Sequence, residues 1–267
     1  LKSACETLVE QRYLDSNPFG DAALPPPSHK PQFAKRHLPQ PLWEKCQAAW
    51  LSDRDTPEGR RRCATVLLAY STGLRASEIA GATTARLTRE QSPEAGIGFF
   101  LTVVGKGNKV REVVLLEWVL PYLVEHWIDR GLVSPENRLR PIADIPFALE
   151  APAALIGSLD GRRDASQTLS PATVYEIAHE AFARVIPQLD KGSDEAKKLL
   201  KASTHWLRHT YATHASQRGT DLSIIQENCG HASIETTGKY RQTDKSERLL
   251  ATRSSFPAPP VAPETNR

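Results

Sequence analysis

The strand signal in this chain is confined to residues 98–116. There GFFLTVV and KVREVVLL, rich in β-branched and aromatic residues, flank the turn residues GKGN. Such a pattern predicts an antiparallel hairpin. A single hairpin cannot enclose the core of a 267-residue chain. Helices must supply it, and the expected fold is mostly α with a small antiparallel β-hairpin or sheet.

The helices are well punctuated. PLWEKCQAAWL (41–51) and PEGRRRCATVLLAYSTG (57–73) read as helices, the second opening on Pro57 and stopping at Gly73. LRASEIAGA predicts a short helix starting near Arg75, and another is expected around 117–130, before an irregular stretch over 131–168. Ser170 and Pro171 open a helix over 170–185. Thr204 is the expected cap of 205–218, which Gly219 ends, and Asp221 the cap of 222–228 before Gly230. Ser233 is the expected cap of a short segment reaching Tyr240.

The ends differ in kind. Residues 1–14 have helical spacing, whereas Asn17–Pro41 holds seven of the twenty prolines and the cations Lys30, Lys35 and Arg36. Each proline fixes φ, so 17–41 is expected to be a semi-rigid linker. The tail from Ser254, with four prolines, is expected to be disordered. The chain begins at Leu1 and has no Met, so it reads as an internal piece of a longer protein. Net charge is +3 with a pI near 8.7, which by itself is weak evidence for a nucleic-acid partner. No membrane span or signal peptide is visible, and the four scattered cysteines form no CxxC pair, so a cytoplasmic chain with reduced thiols is expected.

THWLRHTYATHASQRG (204–219) concentrates three of the eight histidines beside Arg208. A zinc site could draw on His205, His209, His214, Cys229 and His231. Against it, Trp206 stands where the zincin pattern needs a glutamate, and Arg208 sets a permanent cation beside His205. An anion suits these residues better. His205 and Arg208 are three apart on one helical face, and a guanidinium matches phosphate oxygens in bidentate fashion. Gly230 and His231 follow, with Tyr240 nine residues beyond His231. A tyrosine among phosphate-binding cations suggests a nucleophile, although any single tyrosine is more often a half-buried aromatic.

HWLRHTYATH with GTDLSIIQENCGHASIETTGKY resembles the C-terminal box of the tyrosine recombinases, also called the phage integrase family, whose pattern is HxxR, then GH, then Tyr. STGLRASEIAGA resembles the box that supplies their other catalytic arginine, here Arg75, and VVGKGNKVREVVL resembles the hairpin that carries their catalytic lysine. Lys106 matches that lysine best, with Lys109 as the alternative. The resemblance covers about residues 42–250. It implies a catalytic domain at 42–243, preceded at 1–16 by the last helix of a truncated DNA-binding domain and the linker 17–41. It also implies a C-terminal part, 244–267, in which residues 244–256 could dock on a neighbouring protomer through Leu249, Leu250 and Phe256 ahead of the disordered tail.

The implied activity is DNA cleavage and rejoining through a 3′-phosphotyrosine, without metal, cofactor or ATP. Tyr240 is the implied nucleophile and His205 the proton acceptor or hydrogen-bond partner. Arg75, Arg208 and His231 are the implied phosphate ligands, and Lys106 the donor to the leaving oxygen. Lys35, Arg36, Arg60, Arg61, Arg62, Lys109 and Lys239 are candidates to lie along the DNA backbone; for Arg60–Arg62 a solvated face is an equal alternative. The implied partners are double-stranded recombination sites and a tetramer on DNA, in a bacterial, nucleoid-associated setting with no membrane. Integration of a mobile element leads. An Xer-type resolvase, a type IB topoisomerase-like enzyme and a catalytically silent DNA-binding regulator stay open.

Overall fold

The computed structural model describes residues 2–17, 36–134, 140–160, 167–230 and 245–259. It divides into two compact units, Leu1–Lys35 and Arg36–Arg267. In the first, a helix α1 spans Lys2–Glu10. The second unit takes in Leu38, which the sequence places in the linker. Leu38 is fully buried, its amide donates to Thr210 Oγ1 at 3.0 Å, and its carbonyl accepts from His214 Nε2 at 3.0 Å.

The second unit is helical around a three-stranded antiparallel sheet. Its described helices are α2 (Gln40–Ser52), α3 (Pro57–Thr72), α4 (Ala76–Ala80), α5 (Leu120–Asp129), α6 (Pro171–Ala183), α7 (Asp194–Leu199), α8 (Thr204–Gln217), α9 (Leu222–Cys229) and α10 (Lys245–Ser255). α3 is the central element. The Thr56 side chain accepts from Gly59 N, Pro57 occupies the first turn, and Gly73 closes the helix at φ 65°. It packs against α5, α6 and α8, and from Cys63 to Thr72 every residue is buried. A helix apolar on all sides belongs in a core. Trp43 of α2 stacks on Tyr70 of α3 at 3.6 Å between ring centroids, and Trp50 meets Phe182 of α6 edge to face.

The strands are β1 (Leu87–Ser92), β2 (Gly96–Val104) and β3 (Val110–Leu115), in that order. The expected hairpin is β2–β3, with Phe99 opposite Leu115 and Val104 opposite Val110. β1 is an addition to it. LTREQS lacks apolar alternation, and only pairing with β2 makes it a strand. The turn between β2 and β3 is tight: Gly107 and Asn108 both adopt positive φ, and Gly105 N donates to Lys109 O at 2.8 Å.

Two further expectations change. Ser203, not Thr204, precedes α8, and its side chain makes no capping bond. The C-terminal segment is not a loose tail as far as residue 259. α10 lies on its own chain, burying Leu249 and Phe256 and leaving Leu250 exposed. Phe256 stacks on Tyr211 at 4.7 Å between centroids, and its carbonyl accepts from Trp118 Nε1 at 2.8 Å. Leu249 crosses β2 at Gly98, where an added Cβ would come within 2.5 Å of it. These two anchors, expected to reach a neighbouring protomer, here fill the chain's own core.

Candidate functional site

The site grows from the end of α3. Gly73 turns the chain, Leu74 is buried, and Arg75 occupies the extended position just before α4. Three residues on, Glu78 reaches back to Arg75 as a first-turn acid does in a capping box. Its carboxylate accepts from Arg75 N at 2.8 Å and from an Arg75 guanidinium nitrogen at 2.9 Å. Arg111 of β3 grips the same carboxylate in bidentate fashion, at 2.8 and 2.9 Å, and donates to Asn228 O at 3.1 Å.

Arg208 enters from α8. It is buried, donating to Gly73 O at 2.6 Å and to Cys229 O. Arg75 donates to Gly230 O at 3.4 Å. The two arginines therefore meet on consecutive carbonyls where α9 ends. Gly230 is needed there: φ is 58°, and a Cβ would lie 2.9 Å from the Arg111 guanidinium. Three guanidiniums surround one carboxylate, so the cluster keeps a surplus of positive charge. Arg75 is its most open member, 37% exposed. Such a cluster holds an anion by charge and by fork geometry together.

His205 is exposed one turn from Arg208, with its Nε2 3.0 Å from that of His209. Partial burial, then Arg208, Arg36 and Arg75, hold its imidazole below the usual histidine range. It is thus kept neutral near pH 7 and able to take a proton. His214 serves the core instead. Its Nε2 donates to Leu38 O, so its Nδ1 accepts from Tyr70 Oη at 3.0 Å, and burial drives it down to about 4. With both nitrogens taken, His214 is not placed as a metal ligand. Among the described residues no group of three or more His, Cys, Asp or Glu could hold a metal ion. No described helix is long and apolar enough to cross a membrane. The Cys229 thiol, at the foot of the site, is fully buried and raised by that burial. Burial likewise pushes Cys46 and Cys63 up to about 12.

The other expected residues divide. Lys106 begins the β2–β3 turn, its side chain being outside the described atoms, and Lys109 is exposed beside it. Arg36 lies near His205. His231, Tyr240, Lys35 and Lys239 fall outside the described residues, as does the segment expected to be capped by Ser233. Arg60–Arg62 form neither a solvated face nor a phosphate track. Arg60 pairs with Asp129 at 2.6 and 2.7 Å, Arg62 is buried between Asp53 and Glu180, and the Arg61 Nε is buried without a partner. Asp129 and Glu180 come from distant segments, which adjacent sequence does not reveal, whereas Asp53 lies only nine residues before Arg62. Glu78 and Arg111 were not foreseen. Glu78 had a local signal, an acid three residues after a capping position; Arg111, a strand cation, had none.

A family model described as the phage integrase family matches residues 47–247. A tyrosine recombinase XerC of Bradyrhizobium diazoefficiens is 33% identical over 247 residues, covering 90% of this chain and 65% of the relative. A tyrosine recombinase XerD of Rickettsia conorii is 28% identical over 253 residues, covering 94% and 73%. The chain thus spans just under two thirds of the first relative's length. Among solved structures, the Tn1549 transposon integrase in complex with transposon right end DNA aligns at a TM-score of 0.52 and 15% identity, covering 96% of this chain and 71% of that one. XerH site-specific recombinase bound to difH substrate aligns at 0.50 and 20%, covering 83% and 50%. At these identities the two structures share a fold with this chain.

Proposed function

Given that this chain belongs to the phage integrase family, as the match over residues 47–247 shows, we propose that it is the catalytic part of a site-specific DNA recombinase. The observation that carries this is the meeting of Arg75 and Arg208, from separate segments, on the Cys229–Gly230 carbonyls. Two guanidiniums so placed can hold the non-bridging oxygens of one phosphodiester and stabilise the charge that builds in the transition state. Glu78, itself gripped by Arg111, sets the orientation of Arg75, and the Gly73 and Cys229 carbonyls set that of Arg208.

Tyr240 Oη attacks the scissile phosphorus and passes its proton to His205. The bond from phosphorus to the 5′ oxygen breaks, and that oxygen leaves as a hydroxyl with a proton from Lys106, or from Lys109 beside it. His231 donates to the phosphate. The 3′-phosphotyrosine keeps the energy of the broken diester, so a 5′-hydroxyl of another strand can displace Tyr240, which takes back its proton. No ATP is consumed, and the cations and donors stand where other nucleases place a divalent ion. The partners are two duplex sites held by a tetramer at the bacterial nucleoid. Integration of a mobile element was the expected role. The XerC and XerD names of the similar recombinases favour an Xer-type resolvase instead.

The test is covalent trapping. Nicked duplex is incubated with the chain in EDTA, and a protein–DNA adduct is sought on a denaturing gel beside Tyr240→Phe. An adduct that survives EDTA and is lost in the variant supports the proposal. An adduct that persists in the variant places the nucleophile elsewhere and overturns it.

A further inference from the structure

The end of α9 presents three successive carbonyls, and each takes one arginine. Asn228 O accepts from Arg111 Nε at 3.1 Å, Cys229 O from Arg208, and Gly230 O from Arg75 at 3.4 Å. A helix end leaves its last carbonyls open and carries the negative pole of its dipole, so cations suit it. The Asn228 side chain is equally engaged. The buried face of α9 consists of Ile224, Ile225, Asn228 and Cys229, and Asn228 is its polar member. Asparagine is a weak helix former, and a buried carboxamide is costly unless it is bonded. Asn228 is 1% exposed and bonded at both ends of its amide. Its Oδ1 accepts from Arg248 Nη2 of α10 at 2.8 Å, and its Nδ2 donates to Tyr211 Oη of α8 at 2.8 Å. Arg248 has donors only, which fixes the way the amide faces.

Both partners of the amide lead back to the arginines. Tyr211 follows Arg208 by three residues on α8, and its ring lies against Gly73, where an added Cβ would come within 2.8 Å of it. Gly73 O and Cys229 O are the two carbonyls that hold Arg208. Arg248 is itself buried; it donates to Glu112 O, beside Arg111 on β3, and its Nε lies 3.3 Å from a Glu227 carboxylate oxygen. We propose that Asn228 is a positioning residue for DNA cleavage: clamped between Tyr211 and Arg248, it fixes the last turn of α9 so that each carbonyl of the row meets its own guanidinium. This deepens the recombinase reading above and rests on it. The side chain acts through the backbone of Cys229 and Gly230, whose carbonyls aim Arg208 and Arg75 at the phosphate. With the clamp removed, the last turn of α9 can rotate, and both guanidiniums turn with it.

The experiment uses the full chain and nicked duplex in EDTA. It measures the rate of adduct formation with the chain saturating, the duplex Kd and the urea midpoint. Misplacing a catalytic group by about 1 Å costs about 100-fold, so Asn228→Leu should slow adduct formation by about 10- to 100-fold. The duplex Kd should change by less than about twofold, since affinity is spread over many phosphate contacts. Asn228→Leu also strands the Tyr211 hydroxyl, which lowers stability by itself. The double variant Asn228→Leu with Tyr211→Phe removes that hydroxyl, while Arg248 keeps Glu112 O and Glu227. Its urea midpoint should return toward that of the wild type while adduct formation stays slow. A rate that recovers together with the midpoint would make Asn228 a structural residue only and overturn the proposal. So would a double variant that does not fold, a single variant that cleaves at the wild-type rate, or a Kd that weakens by the same factor as the rate. In each of those cases an EDTA-resistant wild-type adduct leaves the recombinase assignment standing. A wild-type chain that forms no adduct removes the positioning role and the recombinase assignment together.

Discussion

Glu78→Gln isolates the group that orders the cationic cluster. The carboxylate is 1% exposed and accepts four hydrogen bonds, two from Arg75 and two from Arg111. Glutamine keeps one acceptor oxygen and turns an amide NH2 toward the remaining donors, so two bonds to guanidinium or amide groups are lost. Hydrogen bonds to charged groups contribute about 1.5–3 kcal/mol each, and breaking a buried ion pair from one side costs about 3–5 kcal/mol. The two estimates agree near 4 kcal/mol, a large share of the ~5–15 kcal/mol that holds a domain folded. Urea unfolding at neutral pH should show that loss, and covalent adduct formation should slow even where the variant remains folded. Burial pushes the Glu78 carboxyl up, but hydrogen bonds from Arg111 and Arg75 outweigh it and hold it below 4.5. A depressed acid contributes fully above its unfolded pKa and loses that contribution as pH falls through its lower folded value. Acid unfolding of the wild type should therefore contain a component that Glu78→Gln lacks. If Glu78→Gln unfolds within about 1 kcal/mol of the wild type, the carboxylate is not what orders the arginines.

Four shorter predictions follow from the core beneath the site. His214 is neutral when folded, with a pKa of about 4 against an ordinary 6.5; its stabilisation is whole above 6.5 and declines on acidification, by about 3 kcal/mol at pH 4, readable as an unfolding free energy that His214→Gln does not share in full. Phe256→Ala removes a ring stacked on Tyr211 and should cost about 3–5 kcal/mol of stability, measured by thermal or urea unfolding with DNA absent. Deleting everything after Thr243 should consequently reduce folding and cleavage together. That outcome differs from the one expected if α10 served only a neighbouring protomer, in which cooperative assembly on DNA would fall further than cleavage. Gly73→Ala, at φ 65° with a Cβ 2.8 Å from the Tyr211 ring, should destabilise by about 1–3 kcal/mol and lower adduct formation through the Arg208 bond to Gly73 O.

Local chemistry was legible in the sequence, and long-range partnership was not. α3 and α9 carry both start and stop residues within a few positions of their ends, and α6 carries its start, so Ser170 and Asp221 cap as expected and Gly73 and Gly230 end their helices. Arg75, His205 and Arg208 stand out in the sequence because a short motif surrounds each, and the fold brings Arg75 and Arg208 to consecutive carbonyls. β1 was invisible because its six residues become a strand through pairing with β2. α7, with only six residues, offered too short a period to detect. Arg111 reads in sequence as one more strand cation, and only folding brings it to Glu78. Leu249 and Phe256 were legible as apolar anchors, but no local pattern says whose core an anchor enters.

Three of the four thiols lie buried in three different places: Cys46 in α2, Cys63 in the central α3 and Cys229 at the end of α9. A buried thiol kept protonated meets an alkylating reagent only when its surroundings part. The chain thus carries three internal clocks that tick at the opening rate of the element around each sulfur. The Cys229 clock stands under the Arg208 guanidinium, so its rate registers how often α9 breathes away from α8. Compared with the Cys63 clock in the central helix, it separates local loosening of the anion grip from unfolding of the whole body.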